Sequence, residues 1–316
     1  MVGGRQPVTF ADDFRRLCCA MCLVVCCVAP AAAQQTWSLT DEPELALGTI
    51  DGSPATSFHR VTGAVRAPTG EIIVADGATT ELRVFSRSGE FILRFGREGN
   101  GPREFGNIEW IEFCEGRGLT VYDYRRRRLT EWSLDGELLE ETNIEGLSGL
   151  PPYSVRCGPS ESLAVVGWPN ATAYSGGVGP YRMNVEIGLA DSDGHLLRSL
   201  GDFPGPERYR YQGSDGPRPL GRKTVVRPGP DGVYLVTGDA YEVLVVGVDG
   251  NRHSFGRPLE ARRMTPSLVR VWHDSVVASL PESRRAAARQ GIRAHEGPDV
   301  LPTYSDLRFD PFELLW

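Results

Sequence analysis

Side chains that could bind a catalytic metal are scattered along this chain of 316 residues. None of its five histidines belongs to an H-E-x-x-H or comparable ligand motif. Asp76 and Asp123 each end a short apolar run, 47 residues apart. They could be metal ligands, but recurrence at a fixed spacing favours a structural role in which each carboxylate accepts hydrogen bonds from the turn that follows. We therefore assign no metal ligand and no cofactor, and a divalent metal in a channel, held by residues remote in sequence, stays an alternative.

The sequence contains no recognisable nucleophile motif or phosphate-binding loop. A G-x-S-x-G motif is absent, and the glycine-rich residues 96–101 match neither Walker A nor G-x-G-x-x-G. The arginine run 125–128 has acidic neighbours, which favours a solvated hairpin over a nucleic-acid site. The net charge of −7 also argues against a nucleic-acid partner. We assign no catalytic residue.

The first 33 residues have the pattern of a signal peptide. Arg15 and Arg16 precede an apolar run over residues 17–28, which ends in the small residues 31–33. The run is too short for an ordinary membrane span. The pattern predicts export to the periplasm or the outside, with no transmembrane segment after cleavage; a buried N-terminal helix is the alternative.

Two of the seven cysteines, Cys114 and Cys157, lie beyond the predicted signal peptide. An even pair in an exported protein permits one disulfide. The alternative is two separate buried thiols that pack as small apolar side chains.

Two segments repeat one another with a period of 47 or 48 residues. Gly70 recurs as Gly118, and Gly89 recurs as Gly136. Each copy contains short β-rich runs, and a Ser-Gly or Asp-Gly pair marks a two-residue hairpin turn between two of them. A period of 40 to 50 residues with four strands per copy is typical of the blades of a β-propeller.

Weaker copies extend this pattern along one predicted propeller domain, residues 34–316. Full blades are expected at about 58–97, 107–145, 152–201 and 222–256, and a partial blade at 303–316. Long loops are expected at 168–182 and 206–222. Thr265-Pro266 starts a segment of helical spacing, so a short helical insertion is predicted near 265–292.

The connection between the first two blades resembles that of NHL-repeat propellers. The residues that carry the resemblance are the glycine-rich turn 95–105 with its Gly-Pro-x-Glu-Phe element, the Val-Ala-Asp of 74–76 and the Leu-Arg-Val-Phe of 82–85. The Leu-Pro-x-Tyr-Ser of 301–305 is similar to the start of the last blade in secreted bacterial six-bladed propellers related to NHL repeats. The resemblance implies an all-β, six-bladed, NHL-like propeller that lacks most of its last blades, and it implies little chemistry.

Residues that open each innermost strand are the candidate ligand-binding residues, because they would line the mouth of the central channel. They are Arg60, Trp110 or its neighbour Glu109, Tyr153, Lys223 and Tyr304. We interpret the chain as an exported propeller that binds an unknown small molecule or protein at its central-channel face and does no chemistry. The alternative is a metal-dependent lyase or lactonase with a site in the channel.

Overall fold

The computed structural model describes residues 41–49, 52–148, 152–158, 161–167, 177–211, 214–293, 297–309 and 315. The predicted signal peptide lies outside them. The chain divides into two units, Met1–Ala46 and Leu47–Trp316. Residues 41–46 of the first unit form no helix or strand. No helix in the described part of the chain is long and apolar enough to cross a membrane.

Three antiparallel sheets of the second unit are four-stranded meanders whose strands pair in chain order. The first contains β1 (Val61–Arg66), β2 (Ile72–Asp76), β3 (Glu81–Phe85) and β4 (Phe91–Phe95). The second contains β5 (Ile108–Cys114), β6 (Gly118–Asp123), β7 (Arg128–Trp132) and β8 (Leu138–Asn143). The fourth contains β14 (Val225–Gly229), β15 (Gly232–Val236), β16 (Glu242–Gly247) and β17 (Arg252–Gly256).

The third sheet differs, because it has five strands and two of them are long. Its strands are β9 (Pro152–Cys157), β10 (Leu163–Gly167), β11 (Gly179–Ala190), β12 (Leu196–Tyr211) and β13 (Ser214–Pro217). Much of the segment 206–222, expected as a loop, is therefore strand. Phe203, Glu207 and Tyr209 are buried, while the residues directly before and after each of them are more exposed. This alternation is the period-two pattern of a strand. Glycine and proline in this stretch hide that pattern in the sequence.

The same type of turn joins the third and fourth strands of every sheet. In the first sheet Gly89 donates its N–H to the Ser86 carbonyl, and Ser86 donates its own N–H to the Glu90 carbonyl. The same two bonds recur around Gly136, Gly194 and Gly250. These are three-residue loops, not the two-residue loops that the sequence predicts, because only the glycine has a positive φ, between 79° and 89°. A two-residue type I′ turn needs positive φ at both central residues.

Apolar side chains fill the spaces between consecutive sheets. Trp132 of the second sheet packs on Phe95 of the first, with ring centroids 4.9 Å apart, and on Phe105 of the connection, at 5.6 Å. A second buried cluster joins the second and third sheets, and a third joins the third and fourth. The sheets are therefore stacked side by side as blades, and the second, third and fourth sheets each contribute both faces to a core.

Two helices follow the fourth sheet, as the sequence predicts. Helix α1 (Pro266–Ala278) begins after Thr265, whose Oγ1 accepts a hydrogen bond from the Leu268 N–H at 3.3 Å. Helix α2 (Glu282–Arg293) follows directly.

The partial blade expected at 303–316 is not built as strands in its described residues. They contain one isolated bridge, between Phe309 and Leu315. Leu307 is instead 99% buried against the fourth sheet, and Arg227 binds the backbone and side chain of this segment. Side-chain contacts, rather than the expected strand pairing, therefore hold this segment against the fourth sheet.

Candidate functional site

The first strand of each sheet faces the centre of the blade arrangement. Gly63 of β1 lies against β5, where a Cβ at position 63 would be 3.1 Å from Ile111 Cγ1. Cys114 of β5 is disulfide-bonded to Cys157 of β9. Strand β9 in turn contacts β14. The strands β1, β5, β9 and β14 therefore form successive walls of a channel, as the inner strands of propeller blades do.

One register level of these four walls carries mainly charged side chains. The level is defined by strand pairing. Each of its residues pairs with a residue of the second strand of the same sheet, and that partner lies three positions before the residue that ends or directly follows the second strand. The four residues are Val65, Glu112, Arg156 and Arg227, which pair with Ile73, Thr120, Ala164 and Tyr234. Three consecutive walls thus present a glutamate and two arginines at the same height.

These charged side chains form two ion pairs. Arg156 Nη1 donates to Glu112 Oε1 at 3.4 Å. Arg227 donates to Asp306 Oδ1 at 2.8 Å through Nη2 and to the Leu307 carbonyl at 2.9 Å through Nε. The four charged side chains keep between 21% and 35% of their surface exposed, so they line space that water can enter.

Protein surrounds the Glu112–Arg156 pair closely enough to shift the pKa of both groups. Burial raises the pKa of Glu112, against the opposing charges of Arg156 and Arg227. Burial lowers the pKa of Arg156; the Glu112 carboxylate opposes this, and the like charge of Arg227 adds to it. Although both side chains reach channel water, the walls on either side remove most of their hydration.

Trp110 is not at the channel mouth, which corrects the sequence prediction. It is 97% buried, stacks on Tyr122 at 6.2 Å, and lies under the Arg156 guanidinium at 5.2 Å from the ring centroid. The register shifts by one residue between Ile108 and Trp110. This bulge turns the neighbouring Glu109 outward and Trp110 inward.

Three of the predicted ligand-binding residues are exposed at the starts of innermost strands. Arg60 precedes β1 and donates to the Gly77 carbonyl and, at 3.4 Å, to Asn107 Oδ1. Tyr153 in β9 is 40% exposed, and burial of the remainder raises its pKa, with the Glu109 carboxylate adding to the shift. Lys223 is exposed just before β14.

Tyr304, the fifth predicted residue, opens no strand in the structure. Its ring lies 5.8 Å from that of Tyr241, in an edge contact beside the fourth sheet. It therefore belongs to the packing of the terminal segment rather than to a strand start.

The turn interpretation of Asp76 and Asp123 is confirmed. Asp76 accepts hydrogen bonds at 3.0 Å from the backbone N–H groups of His59, Arg60 and Ala78. Burial opposes its ionisation, yet these three donors and Arg83 hold the pKa of Asp76 below its ordinary value. Asp123 accepts in the same way from Gly106, Asn107 and Arg126. Each aspartate thus ties the entry of an innermost strand to the end of its neighbour.

The arginine run is only half solvated, unlike the hairpin that the sequence predicts. Arg125 and Arg127 are exposed. Arg126 instead pairs with Asp123 at 3.0 Å, and the buried Arg128 pairs with Glu141 at 2.6 Å. Ion pairs with acidic groups of the same sheet thus hold alternate members of the run, Arg126 and Arg128, against the protein.

A ribbon of β11 and β12, with the short β13 paired along β12, extends from the third sheet beside the strand starts. The last pair between β10 and β11 is Val166 with Ile187, so residues 179–185 extend beyond β10 by about 20 Å. The ribbon is held by acidic groups: Glu207 accepts from Arg222 Nε at 2.8 Å, and Asp239 accepts from Arg182 and Arg222 at 2.9 and 2.7 Å. Sequence reasoning missed this network, because Arg182, Glu207 and Arg222 come from segments that were predicted to be loops.

The described residues contain one group of three side chains with metal-ligand spacing. Glu112, Cys114 and Cys157 have ligand atoms within 4.8 Å of one another. Both sulfur atoms are joined in the disulfide, with Cα atoms 5.8 Å apart. In this state the group offers a metal one carboxylate, which is already paired with Arg156.

Residues 47–157 match the model of a family described as 6-bladed β-propeller. No curated protein sequence matches the chain. Among solved structures, a streptogramin B lyase is similar with a TM-score of 0.39 and 11% identity over 63% of this chain and 55% of its own. A Bacteroides fragilis protein named as a candidate exported protein gives 0.44 and 13%, over 75% and 64%. Virginiamycin B lyase from Staphylococcus aureus gives 0.34 and 12%, over 63% and 71%.

The chain spans less than two thirds of the first two of these structures. The family match covers the first two sheets and β9, and the third and fourth sheets continue the same meander with the same glycine turn. The predicted all-β propeller fold is therefore confirmed, and the chain is a β-propeller protein whose first blades match the six-bladed type.

Proposed function

We propose that this propeller is a binding module that holds a small molecule or a protein segment at its central-channel face, without chemistry of its own. The observation that carries the proposal is the charged level formed by Glu112, Arg156 and Arg227. Buried charges cost free energy unless they are paired, and apolar side chains would pack the same walls without that cost. Partly exposed charges from three separate blades are typical of a recognition surface.

The strand starts supply the rest of the proposed face. Arg60, Tyr153 and Lys223 are exposed at the ends of three different innermost strands. Tyrosine and arginine are enriched in binding surfaces, because they combine apolar area with hydrogen-bonding groups. The ribbon of β11 and β12 extends from the same end of the third sheet and adds a wall beside them.

The lyase or lactonase alternative would need several acidic ligands that converge on a metal. Glu112 and Asp306 are each paired with an arginine, and the described acidic residues form no larger converging set. No specific observation favours this function over binding.

We also propose that the chain is exported. The signal-peptide pattern of residues 1–33 supports this, and so does the disulfide, since disulfides persist mainly in oxidising compartments. Mass spectrometry of the protein recovered from the periplasm or medium should find Gln34 as the first residue. Recovery of the full-length chain in the cytoplasm alone would contradict export.

Binding is tested with a panel of neutral, cationic and anionic metabolites, read by saturation-transfer NMR. Hits should bind the wild type, weaken at least tenfold in the Tyr153→Ala/Lys223→Ala variant, and remain in a Ser88→Ala control at the outer hairpin. A photo-crosslinker at position 153, with one at 88 as control, tests the protein-ligand form. The proposal would be overturned if the hits bound the Tyr153→Ala/Lys223→Ala variant as well as they bind the wild type. It would also be overturned if the panel gave no hit and position 153 gave no crosslink.

A further inference from the structure

The charged level of the channel has a definite order of signs. Following the walls from β5 to β9 to β14 and on to the terminal segment, the residues are Glu112, Arg156, Arg227 and Asp306. The order is therefore negative, positive, positive, negative. The two arginines stand on adjacent walls at one register level, close enough for the charge of Arg227 to act on Arg156, and each is ion-paired with the carboxylate at its own end of this order.

The two arginines retain hydrogen-bonding capacity. A guanidinium has five N–H donors. Arg227 uses donors toward Asp306, Leu307 and its own neighbour Val226. The described residues give Arg156 a single acceptor, Glu112 at 3.4 Å, and its Nε is buried without a protein partner among them.

The position of Arg156 is set before any ligand binds. Its guanidinium lies over Trp110, 5.2 Å from the ring centroid, and the next residue along β9 is held by the Cys114–Cys157 disulfide. Arg156 and Arg227 keep 21% and 26% of their side-chain surface exposed, so a molecule in the channel can reach them. A charged group that is held in place loses little further entropy on binding.

We infer that the ligand carries a small oxyanionic group, a carboxylate or a phosphate, which binds between Arg156 and Arg227. This inference rests on the proposed binding function and names the chemical class of its ligand. An anion between two neighbouring guanidinium groups offsets their mutual repulsion, and the planar guanidinium fork matches both carboxylate and phosphate oxygens. The flanking carboxylates orient the two forks and disfavour a second anion.

The test compares sodium phosphate and sodium succinate with sodium chloride at equal ionic strength, by thermal unfolding and titration calorimetry of the wild type. At least one oxyanion should raise the melting temperature saturably. Because phosphate also stabilises proteins without binding a site, the decisive quantity is the difference from Arg156→Gln and Arg227→Gln, in which the saturable part should vanish. Arg87→Gln, which removes an exposed arginine of the outer β3–β4 hairpin, should keep it.

A response to phosphate alone or to succinate alone identifies which oxyanion the site accepts. If Arg156→Gln does not fold, Arg156→Lys replaces it; the charge is kept and the planar fork is lost, so at least tenfold weaker binding is expected. The inference is overturned if no oxyanion gives a saturable effect, or if the effect is equal in the channel variants. A neutral or cationic metabolite that binds and is lost in Tyr153→Ala/Lys223→Ala would then leave the proposed function standing, whereas no hit in the panel together with no crosslink at position 153 would overturn both.

Discussion

Cys114, on the innermost strand of the second sheet, is disulfide-bonded to Cys157, on the innermost strand of the third, with their Cα atoms 5.8 Å apart. The bond lies beside the Glu112–Arg156 ion pair and joins two walls of the channel covalently. It closes a loop of 43 residues, so it restricts the unfolded chain as well as the folded one.

Replacement of both cysteines, Cys114→Ala/Cys157→Ala, should lower the free energy of unfolding by about 2–4 kcal/mol, because the unfolded chain regains the entropy of the open loop. Urea unfolding of the variant beside the oxidised wild type measures the loss. Wild type treated with a thiol reductant should lose a similar amount. Equal unfolding midpoints for variant and oxidised wild type would contradict this prediction.

Asp76→Asn should destabilise the protein by about 1–3 kcal/mol at neutral pH, because a carboxylate that accepts three backbone hydrogen bonds is replaced by an amide with one acceptor oxygen. The folded-state pKa of Asp76 lies below its unfolded value, so its contribution is present above that value and is lost as the pH falls through the folded pKa. The difference between wild type and variant should therefore shrink on acidification below about pH 4. Asp135→Asn, in an exposed turn, is the control, and a difference that grows in acid would be the wrong sign.

Glu112 should have the opposite pH dependence. Burial raises its pKa above the ordinary value of 4.5, so the folded state binds the proton more tightly than the unfolded chain does. The wild type therefore loses stability as the pH rises from the pKa of Glu112 in the unfolded chain through its higher pKa in the folded state. Glu112→Gln cannot ionise, and its free energy of unfolding relative to wild type should increase as the pH is raised from 4 to about 7. Urea unfolding at several pH values tests this, and a relative stability that falls over the range would disprove it.

Gly136→Ala should cost more than Gly118→Ala, although both glycines have positive φ, at 79° and 70°. Each substitution places a side chain in the left-handed region, at about 1–2 kcal/mol. A Cβ at position 136 would also lie 2.9 Å from the buried Phe95 ring, while nothing lies within 4 Å of one at position 118. Thermal unfolding of the two variants separates backbone strain from steric overlap, and equal losses would show that the Phe95 ring gives way.

Asp239→Asn should loosen the ribbon without unfolding the blades. Its carboxylate accepts from Arg182 of β11 and from Arg222, and so holds the ribbon to the end of β15. Hydrogen exchange of residues 179–185 and 207–211 should quicken, while the global unfolding midpoint stays near that of wild type. Asp231→Asn, in the turn before β15, is the matched control. Unchanged exchange in the ribbon would mean that Glu207 holds it without help.

Local patterns in the sequence were sufficient for the blade repeat. Asp76 and Asp123 mark equivalent strand ends, and the hairpin glycines Gly89 and Gly136 recur at the same period, because every four-stranded blade needs the same turn chemistry in the same order. Thr265 and Pro266 mark a helix start for a similarly local reason, since a cap and a ring of fixed φ act on the first turn alone.

Tertiary structure decided which side chains reach the channel. A one-residue bulge in β5 exposes Glu109 and buries Trp110, and the pairing of β5 with β6 sets its position. The sequence by itself thus determined the fold class, the order of the blades and the exposed strand starts at Arg60, Tyr153 and Lys223. The charged level of Glu112, Arg156 and Arg227 depends on strand register and on packing between blades; those contacts join residues that are far apart in the chain, so only the folded structure brings them together.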